Sequence, residues 1–440
     1  MKDERILLLG SGGREHALAW KLLQSKEVTH LYWSPGQPVA VEQLGKLYAD
    51  RVIEIWETQA AFPLTLYEEL ALRALQAGVT LVVIGPDQDL ANGATDVFEK
   101  RGLPVFGPTR EAAKLEWSKA FAKEIMREAK VATARAFTAE THREAETLLR
   151  SLPWSSEPGS EKHWVVKADG LALGKGVEVC STLEAALAAL PRLEALSGRV
   201  VIEERLLGRE VSLFALCDGE RCTLLDSAQD YKTLNEYGQG PNTGGMGAVS
   251  PAHGFSPERL AVSKAQIFEP ILSVMKARGT PFKGLLYAGL MIRGPETWVL
   301  EFNCRFGDPE TQALLPRMRD DLLPWLRACA TGSLATMPPA IAFSPQVSVF
   351  VVATSEGYPA APRRGDTIEG IESWLTSSQG FFAGIRAAGT GYQTNGGRVL
   401  GALGLSENLE QARSRAFERI RAVRYAGIHF RTDIGQEGSA

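Results

Sequence analysis

Five stretches of this sequence gather chemistry-bearing residues more densely than a core requires. LEFNCRFGDPE (300–310) places Glu301 and Asn303 two apart in an apolar strand pattern, so both side chains leave one face. Two oxygen ligands there suit Mg²⁺, which takes a few protein oxygens and adds substrate phosphates. Arg305 and Asp308 follow in a turn, and a structural Glu–Arg pair is the competing reading. KADGLALGKG (167–176) interleaves glycines with Lys167 and Lys175. It is not a Walker loop, because Gly176 follows Lys175 where Ser or Thr is required. Lys167 at a strand end and Lys175 in a permissive loop could still reach nucleotide phosphates as point charges, unless both simply face water.

GSGGREH (10–16) lies between a strand and a helix. Its glycines, Gly12 and Gly13 among them, let backbone N–H groups approach an anion at the helix N-terminus. A dinucleotide fingerprint would need a glycine where Glu15 stands and an acidic residue closing the next strand, which instead runs into Ser34 and Pro35. A phosphate or phosphosugar site is therefore favoured over NAD, with a bare tight turn as the plain alternative. VIEERLLGRE (201–210) puts Glu203 and Glu204 at the end of an apolar strand. They could meet an adenine amine and ribose hydroxyls, or only solvent. QDYK (229–232) and GPNTGGMGA (240–248) form a long polar, Gly-rich stretch, and such loops are usually functional or disordered. Asp230 could hold an ammonium group, and Lys232 a carboxylate or phosphate.

The elements that must position these groups alternate. RILLLG (5–10), LYW (31–33), TLVVIG (80–85) and VFG (105–107) read as strands separated by helix-like spacing at 14–25 and 64–77. That alternation predicts a parallel, doubly wound α/β sheet ending near residue 107. A helical stretch (109–130), strands at 164–170, 200–206, 284–292 and 298–303, and a break at TMPPA (336–340) define a second region. QVSVFVVAT, GGRVLGALGL and an amphipathic helix over 407–423 form a third.

The 440 residues make about three domains the prior expectation. With 45% hydrophobic and 23% charged residues the chain has globular composition. A net charge of -4 argues against nucleic acid as the partner, which needs a basic footprint. Five scattered Cys fit neither a disulfide scaffold nor a zinc cluster, and Cys304 reads as a small buried residue. No apolar run approaches a membrane span, and Ile6 to Leu9 breaks at Gly10, too soon for a signal peptide. A reduced cytoplasmic protein is expected. His16 is the one histidine in a motif, and no Ser/His/Asp or Cys/His pattern stands out.

Taken in order, GSGGREHALAWKL, KADGLALGKGV, VVIEE, GPNTGGMGA, LLYAGLM, EFNCRFGDPETQ and TNGGRVL resemble the phosphoribosylamine–glycine ligases, also called glycinamide ribonucleotide synthetases, of the ATP-grasp superfamily. The resemblance runs from about residue 5 to residue 435. It implies a preATP-grasp domain (1–107) for the phosphosugar, an ATP-grasp domain (108–335) with a mobile lid at about 130–200, and a small α+β C-terminal domain (336–440). It implies that ATP, with Mg²⁺ or Mn²⁺, drives glycine and 5-phosphoribosylamine to glycinamide ribonucleotide, ADP and phosphate, in a monomer or homodimer. Residue by residue, Lys167 and Lys175 match phosphate-reaching lysines, the second on the lid loop, and Lys119 a nucleotide-side lysine. Glu203, Glu204 and Glu210 match the adenine and ribose segment, and Glu301 and Asn303 the metal ligands. Gly12, Gly13, Arg14 and Glu15, with Gly244 and Gly245, match substrate-facing loops. Asp230, Lys232, Arg305 and Asp308 match positions near the reacting groups.

The chain departs from the family pattern in four places. PGNAGT is replaced by Pro35 to Ala40 with Gln37 and Pro38, GPE by a sequence ending in Asp87, EGSK by one containing Trp117, and Thr233 stands where Arg is usual. The loop carrying Gln37 is expected to alter contacts to the amine substrate. Competing readings are another ATP-grasp carboxylate–amine ligase, an NAD-dependent oxidoreductase, and a nucleotide-binding regulator without catalysis. Intact Glu301, Asn303 and Lys167 speak against the last.

Overall fold

The computed structural model describes residues 3–58, 62–155, 163–171 and 176–436. Its first unit is a parallel sheet of β1 (Glu4–Gly10), β2 (Val28–Pro35), β3 (Val52–Ile55), β4 (Leu81–Ile84) and β5 (Val105–Phe106), in the order β3-β2-β1-β4-β5. Helices α1 (Gly13–Leu22), α2 (Pro38–Leu47), α3 (Pro63–Gln76), α4 (Asp87–Ala91) and α5 (Ala94–Lys100) accompany it. The unbroken apolar run of β1 follows from burial on both faces: Ile6 and Leu8 enter one core, Leu7 and Leu9 another. Strand order reverses between β1 and β4, so their carboxyl ends, Gly10 and Gly85, border a crevice suited to a ligand.

The second unit opens with α6 (Lys114–Trp117) and α7 (Lys119–Glu128), separated by Ser118, whose hydroxyl accepts the N–H of Phe121 and caps α7. A small antiparallel sheet follows: β6 (Ala136–Ala139), β7 (Trp164–Ala168), β8 (Val177–Cys180) and β9 (Val200–Glu204), ordered β6-β9-β7-β8. Helices α8 (His142–Ser151) and α9 (Leu183–Ser197) cover it, and Leu149, Trp164, Leu190 and Ile202 give it a core of its own. That core is separate from those of the neighbouring units. The chain then returns through β10 (Arg209–Asp218), β11 (Cys222–Leu224), β12 (Gln229–Asp230) and β13 (Gly247–Ser250). After α10 (Pro257–Ser263) and α11 (Glu269–Ala277), β14 (Lys283–Arg293) and β15 (Glu296–Asn303) complete the antiparallel sheet β11-β10-β14-β15. Helices α12 (Glu310–Leu314) and α13 (Leu322–Thr331) close the unit.

The last unit holds β16 (Val347–Thr354), β17 (Thr367–Ile368), β18 (Gly380–Phe382), β19 (Ile385–Ala388), β20 (Gly391–Thr394), β21 (Arg398–Ser406) and α14 (Leu409–Ala422). Its main sheet runs β12-β13-β16-β21-β18. Two short strands from the middle of the chain therefore build the C-terminal sheet, and Asp230 sits on one of them. The first unit joins it too: the buried imidazole of His16 accepts the Phe382 N–H at 2.9 Å through Nδ1. Among the described residues no helix is long and apolar enough to cross a membrane.

Candidate active site

At the crevice between β1 and β4, the side chain of Glu15 decides the local architecture. A Cβ at Gly10 would come within 2.7 Å of it, and one at Gly85 within 2.2 Å, so a side chain at either position would displace Glu15. Its Oε2 accepts the Gly12 N–H at 2.7 Å, and its Oε1 accepts Arg14 Nε at 2.6 Å. The glycine loop therefore does not offer the Gly12 N–H to an external anion, as its sequence suggests; Glu15 already takes it. A dinucleotide pyrophosphate is disfavoured for the same reason, since a carboxylate fills the helix N-terminus. The cation presented here is Arg14, which is buried and also donates to the carbonyl of Phe306 at 3.2 Å. Gly13 sits against Gln312 and the backbone of Phe382.

Glu301 and Asn303 leave the same face of β15, as their alternation implies. Glu301 lies opposite Gly289 of β14, where an added Cβ would stand 3.4 Å from its side chain, at the edge of ordinary contact. Lys232 is 2.7 Å from Glu210 and 3.8 Å from Glu301. Desolvation in the crevice opposes the charge on Lys232, but Glu210 and Glu301 outweigh it and hold its pKa well above the ordinary lysine range. Burial likewise opposes charge on Glu301, and Lys232, Lys167, Lys119 and Arg305 reverse the balance and lower its pKa. Asn303 Oδ1 accepts from Arg305 at 3.3 Å, and Arg305 pairs with Glu116 at 3.0 Å. Glu116 Oε2 in turn accepts the Cys304 N–H at 2.7 Å. The Glu301–Asn303 strand end is thus fixed from below and open above, Glu301 being 36% exposed. One carboxylate and one amide oxygen fit a cation that draws its remaining ligands from phosphate and water. Among the described residues no cluster of three or more His, Cys, Asp or Glu offers a rival metal site.

The small antiparallel sheet contributes Lys167, buried near the end of β7. Glu203 on β9 lies 3.1 Å from Lys167 and 3.0 Å from Lys123 of α7. Burial drops Lys123 to about 8, with Glu203 partly restoring it. Glu203 Oε1 is buried without a partner, a free acceptor of the sort an exocyclic amine would satisfy. Glu204 alternates to the opposite face and is half-buried, and Glu210, on β10 in the other sheet, is turned to Lys232. Lys119, one helical turn before Lys123, donates to the carbonyl of Gly170 at 3.0 Å. Gly174 and Lys175 lie outside the described residues.

A third cluster joins the middle and last units. Asp230 Oδ1 is buried without a partner, and burial, then Glu310, pushes its carboxyl well above the usual range. Gly245, at φ +108°, lies over it; a Cβ there would come 2.8 Å from Asp230 Oδ1 and 2.3 Å from Pro309. Arg398 of β21 pairs with Asp308 at 3.0 Å and donates to the carbonyls of Asp308 and Gly244 at 2.8 and 2.5 Å. Gln312 Nε2 donates to Asp308 Oδ1 at 2.6 Å, and the Gly244 N–H to the Tyr358 hydroxyl at 2.9 Å. Burial opposes the Asp308 charge, but Arg398 and Arg14 hold its pKa below the ordinary value. Arg398, Gln312, Tyr358, Glu116 and Lys123 belong to the site's framework and were not singled out from sequence. The signal for Arg398 was present in TNGGRVL.

Gln37, 3% exposed, caps α2 through Oε1 to the Ala40 N–H at 2.6 Å and donates through Nε2 to the Ile385 carbonyl at 2.7 Å. Both ends of its amide are engaged, so its expected contact with the amine substrate gives way to a joint with the last unit. Asp87 opens α4 and takes the Gln88 N–H, and Trp117 Nε1 donates to the Arg110 carbonyl. At Thr233, where the family pattern has Arg, the buried Arg431, itself paired with Asp433, donates to Thr233 Oγ1 at 2.9 Å and carbonyl at 3.1 Å.

These groups could hold a polyphosphate with a divalent cation beside an ammonium and a second anionic ligand. Comparison with known proteins shows the family and the fold. Family models for phosphoribosylglycinamide synthetase match the chain in three pieces: the N domain over residues 4–116, the ATP-grasp (A) domain over 117–311 and the C domain over 348–437. The chain is 40% identical over 443 residues to a phosphoribosylamine–glycine ligase of a Nostoc species, covering 98% of this chain and 99% of that protein. The crystal structure of a phosphoribosylamine–glycine ligase from Thermotoga maritima superposes with a TM-score of 0.79 at 30% identity, covering 98% of this chain and 100% of that one. A biotin carboxylase domain from Hydrogenobacter thermophilus, solved with MgADP, ADP and bicarbonate, matches with a TM-score of 0.69 at 17% identity over 98% of this chain and 92% of its own, and so shares the fold.

Proposed function

The chain belongs to the phosphoribosylglycinamide synthetase family, ligases that form a C–N bond between glycine and phosphoribosylamine in purine biosynthesis, and we propose that it does so by way of glycyl phosphate. The observation that carries this reading is Glu301, a carboxylate kept charged among Lys119, Lys167, Lys232 and Arg305. Such a cluster suits the charge of a metal-bound triphosphate, where catalysis is mainly positioning and electrostatics.

In this reading the adenine amine donates to Glu203 Oε1, the acceptor without a partner, and Glu204 and Glu210 serve the ribose. Lys119, Lys167 and Lys175 meet the phosphates. Glu301 and Asn303 hold Mg²⁺, which when bound neutralises charge on the transferring phosphoryl group. Asp230 receives the glycine ammonium, whose charge would add to those of Lys232 and Arg398 against the burial and the Glu310 charge that raise its pKa. Lys232 and Arg305 steer the glycine carboxylate. A glycine carboxylate oxygen attacks the γ-phosphorus, the bond to the β,γ-bridging oxygen breaks, and ADP leaves. The amine nitrogen of phosphoribosylamine then attacks the carbonyl carbon, the bond to the phosphate-bearing oxygen breaks, and the nitrogen gives up a proton. Arg14, Glu15, Gly12, Gly13 and the Gly244–Gly245 turn form the phosphosugar side, with Asp308 at the junction. Among the described residues no side chain is placed as an activated nucleophile, and the route requires no covalent enzyme intermediate. The lid keeps water from the acyl phosphate. We place the reaction in the cytoplasm, with Mn²⁺ able to replace Mg²⁺ and the chain acting as a monomer or homodimer.

Release of ADP with ATP, glycine and phosphoribosylamine present, each omitted in turn, tests the assignment. ADP should accumulate only in the complete mixture. Equal ADP release with another carboxylate or another amine would assign the chain to a different ligation.

A further inference from the structure

Asp169 follows β7 two residues after Lys167, and its side chain is 2% exposed. Its Oδ1 accepts the Ala120 N–H at 3.0 Å, and both carboxylate oxygens lie 3.3 Å from the Ser118 hydroxyl. Arg199, just before β9, donates to Oδ2 through Nε at 2.6 Å and pairs through Nη2 as well. The backbone N–H of Asp169 is shared by Ser197 Oγ and the Arg199 carbonyl, each at 3.0 Å. Across the same junction Lys119 donates to Gly170.

These bonds cross between two units. Ser118, Lys119 and Ala120 begin α7, whereas Asp169, Ser197 and Arg199 belong to the lid. A helix start leaves N–H groups unsatisfied, and a carboxylate is favourable there. An ordinary cap comes from the residue before the helix, and Ser118 already fills that role. Asp169 adds a second acceptor from a different body, so its loss would loosen this joint, leaving the Lys119–Gly170 and Lys123–Glu203 contacts, without removing the cap. Each unit carries one phosphate-side lysine, Lys119 on α7 and Lys167 on β7; burial, and then the nearby Lys167 charge, lowers the pKa of Lys119.

We propose that Asp169 is a positioning residue for nucleotide polyphosphate: with Arg199 and Ser118 it docks the base of the lid on α7 so that Lys119 and Lys167 address the same phosphates. Asp169 itself touches no substrate. The inference rests on the reading of this crevice as an ATP site.

The test is calorimetric binding of Mg-ATP and of adenosine to the full chain, in wild type, Asp169→Ala, Asp169→Asn, Lys119→Met and the Asp169→Ala/Lys119→Met double variant. Asp169→Ala should raise the Kd for Mg-ATP about tenfold and leave that for adenosine within about twofold, because adenosine has no phosphates to misalign. The double variant should bind Mg-ATP no worse than about twofold below the weaker single variant, since both changes disable one arrangement. If Asp169→Ala proves unfolded, the cycle is run with Asp169→Asn, which keeps an acceptor for Ala120 but not the charge for Arg199, and a rise of about threefold or more is expected. Unchanged Mg-ATP affinity, equal losses for adenosine, or fully additive losses in the double variant would overturn the role of Asp169. A wild-type chain that fails to bind Mg-ATP would overturn the reading of the site, and this role with it.

Discussion

The guanidinium of Arg398, on a strand of the last unit, lies 3.0 Å from the carboxylate of Asp308, in the loop that follows the Glu301–Asn303 strand. Two further Arg398 bonds go to the carbonyls of Asp308 and Gly244. The last unit thus closes a site otherwise built by the first two. Arg398→Ala should lower kcat/KM for phosphoribosylamine about 100-fold, or about 2.7 kcal/mol, with KM for ATP within about twofold. Steady-state kinetics with each substrate varied checks this; an equal loss of ATP affinity would count against placing Arg398 on the amine side.

Glu301 is the charged member of the proposed metal pair. Glu301→Gln should keep the fold but lower turnover by about 1,000-fold. It should also abolish the Mg²⁺ dependence of the thermal stabilisation given by ATP. Thermal unfolding with ATP, plus and minus Mg²⁺, checks this, and wild-type turnover in the variant would refute it.

His16 gives a pH signature. Burial lowers its pKa from the usual 6.5 to about 3, so the folded chain leaves it neutral where the unfolded chain protonates it. Between those values the unfolded state binds more protons, and stability therefore falls as pH drops. The contribution lost by pH 5 is about 2 kcal/mol. His16→Asn retains an acceptor for the Phe382 N–H but cannot titrate. Denaturant unfolding at pH 5 and pH 7 should show a smaller difference in the variant by about that amount; the same difference in both proteins would contradict a neutral buried imidazole.

Gln37 holds α2 to the strand containing Ile385. In Gln37→Asn the shorter side chain can cap α2 but falls short of the Ile385 carbonyl. Stability should drop by about 1 kcal/mol with KM for phosphoribosylamine unchanged. A lower KM in this variant would show that position 37 touches the substrate after all.

Much of this architecture is legible in the residues. Ile6 to Leu9 are all apolar because the first sheet is covered on both faces, and that pattern announces a parallel α/β unit. Glu301 and Asn303 are readable because strand alternation is a local rule. The partners of Glu203 are not, since Lys123 reaches it from a helix far away in sequence and only the tertiary fold brings them together. The same holds for the strand containing Asp230, which is too short to show a period and finds its sheet only through β13 and β16. Gly12 misled for a physical reason: a glycine turn advertises free N–H groups, and only the position of Glu15 shows that one is already taken.

The central claim is that the crevice activates a carboxylate by γ-phosphoryl transfer. Glycine labelled with ¹⁸O in its carboxylate, turned over with Mg-ATP and phosphoribosylamine, tests it most directly. One labelled oxygen should appear in inorganic phosphate for each amide formed, with ADP as the nucleotide product. Label in AMP, or amide formed with unlabelled phosphate, would contradict the acyl-phosphate route.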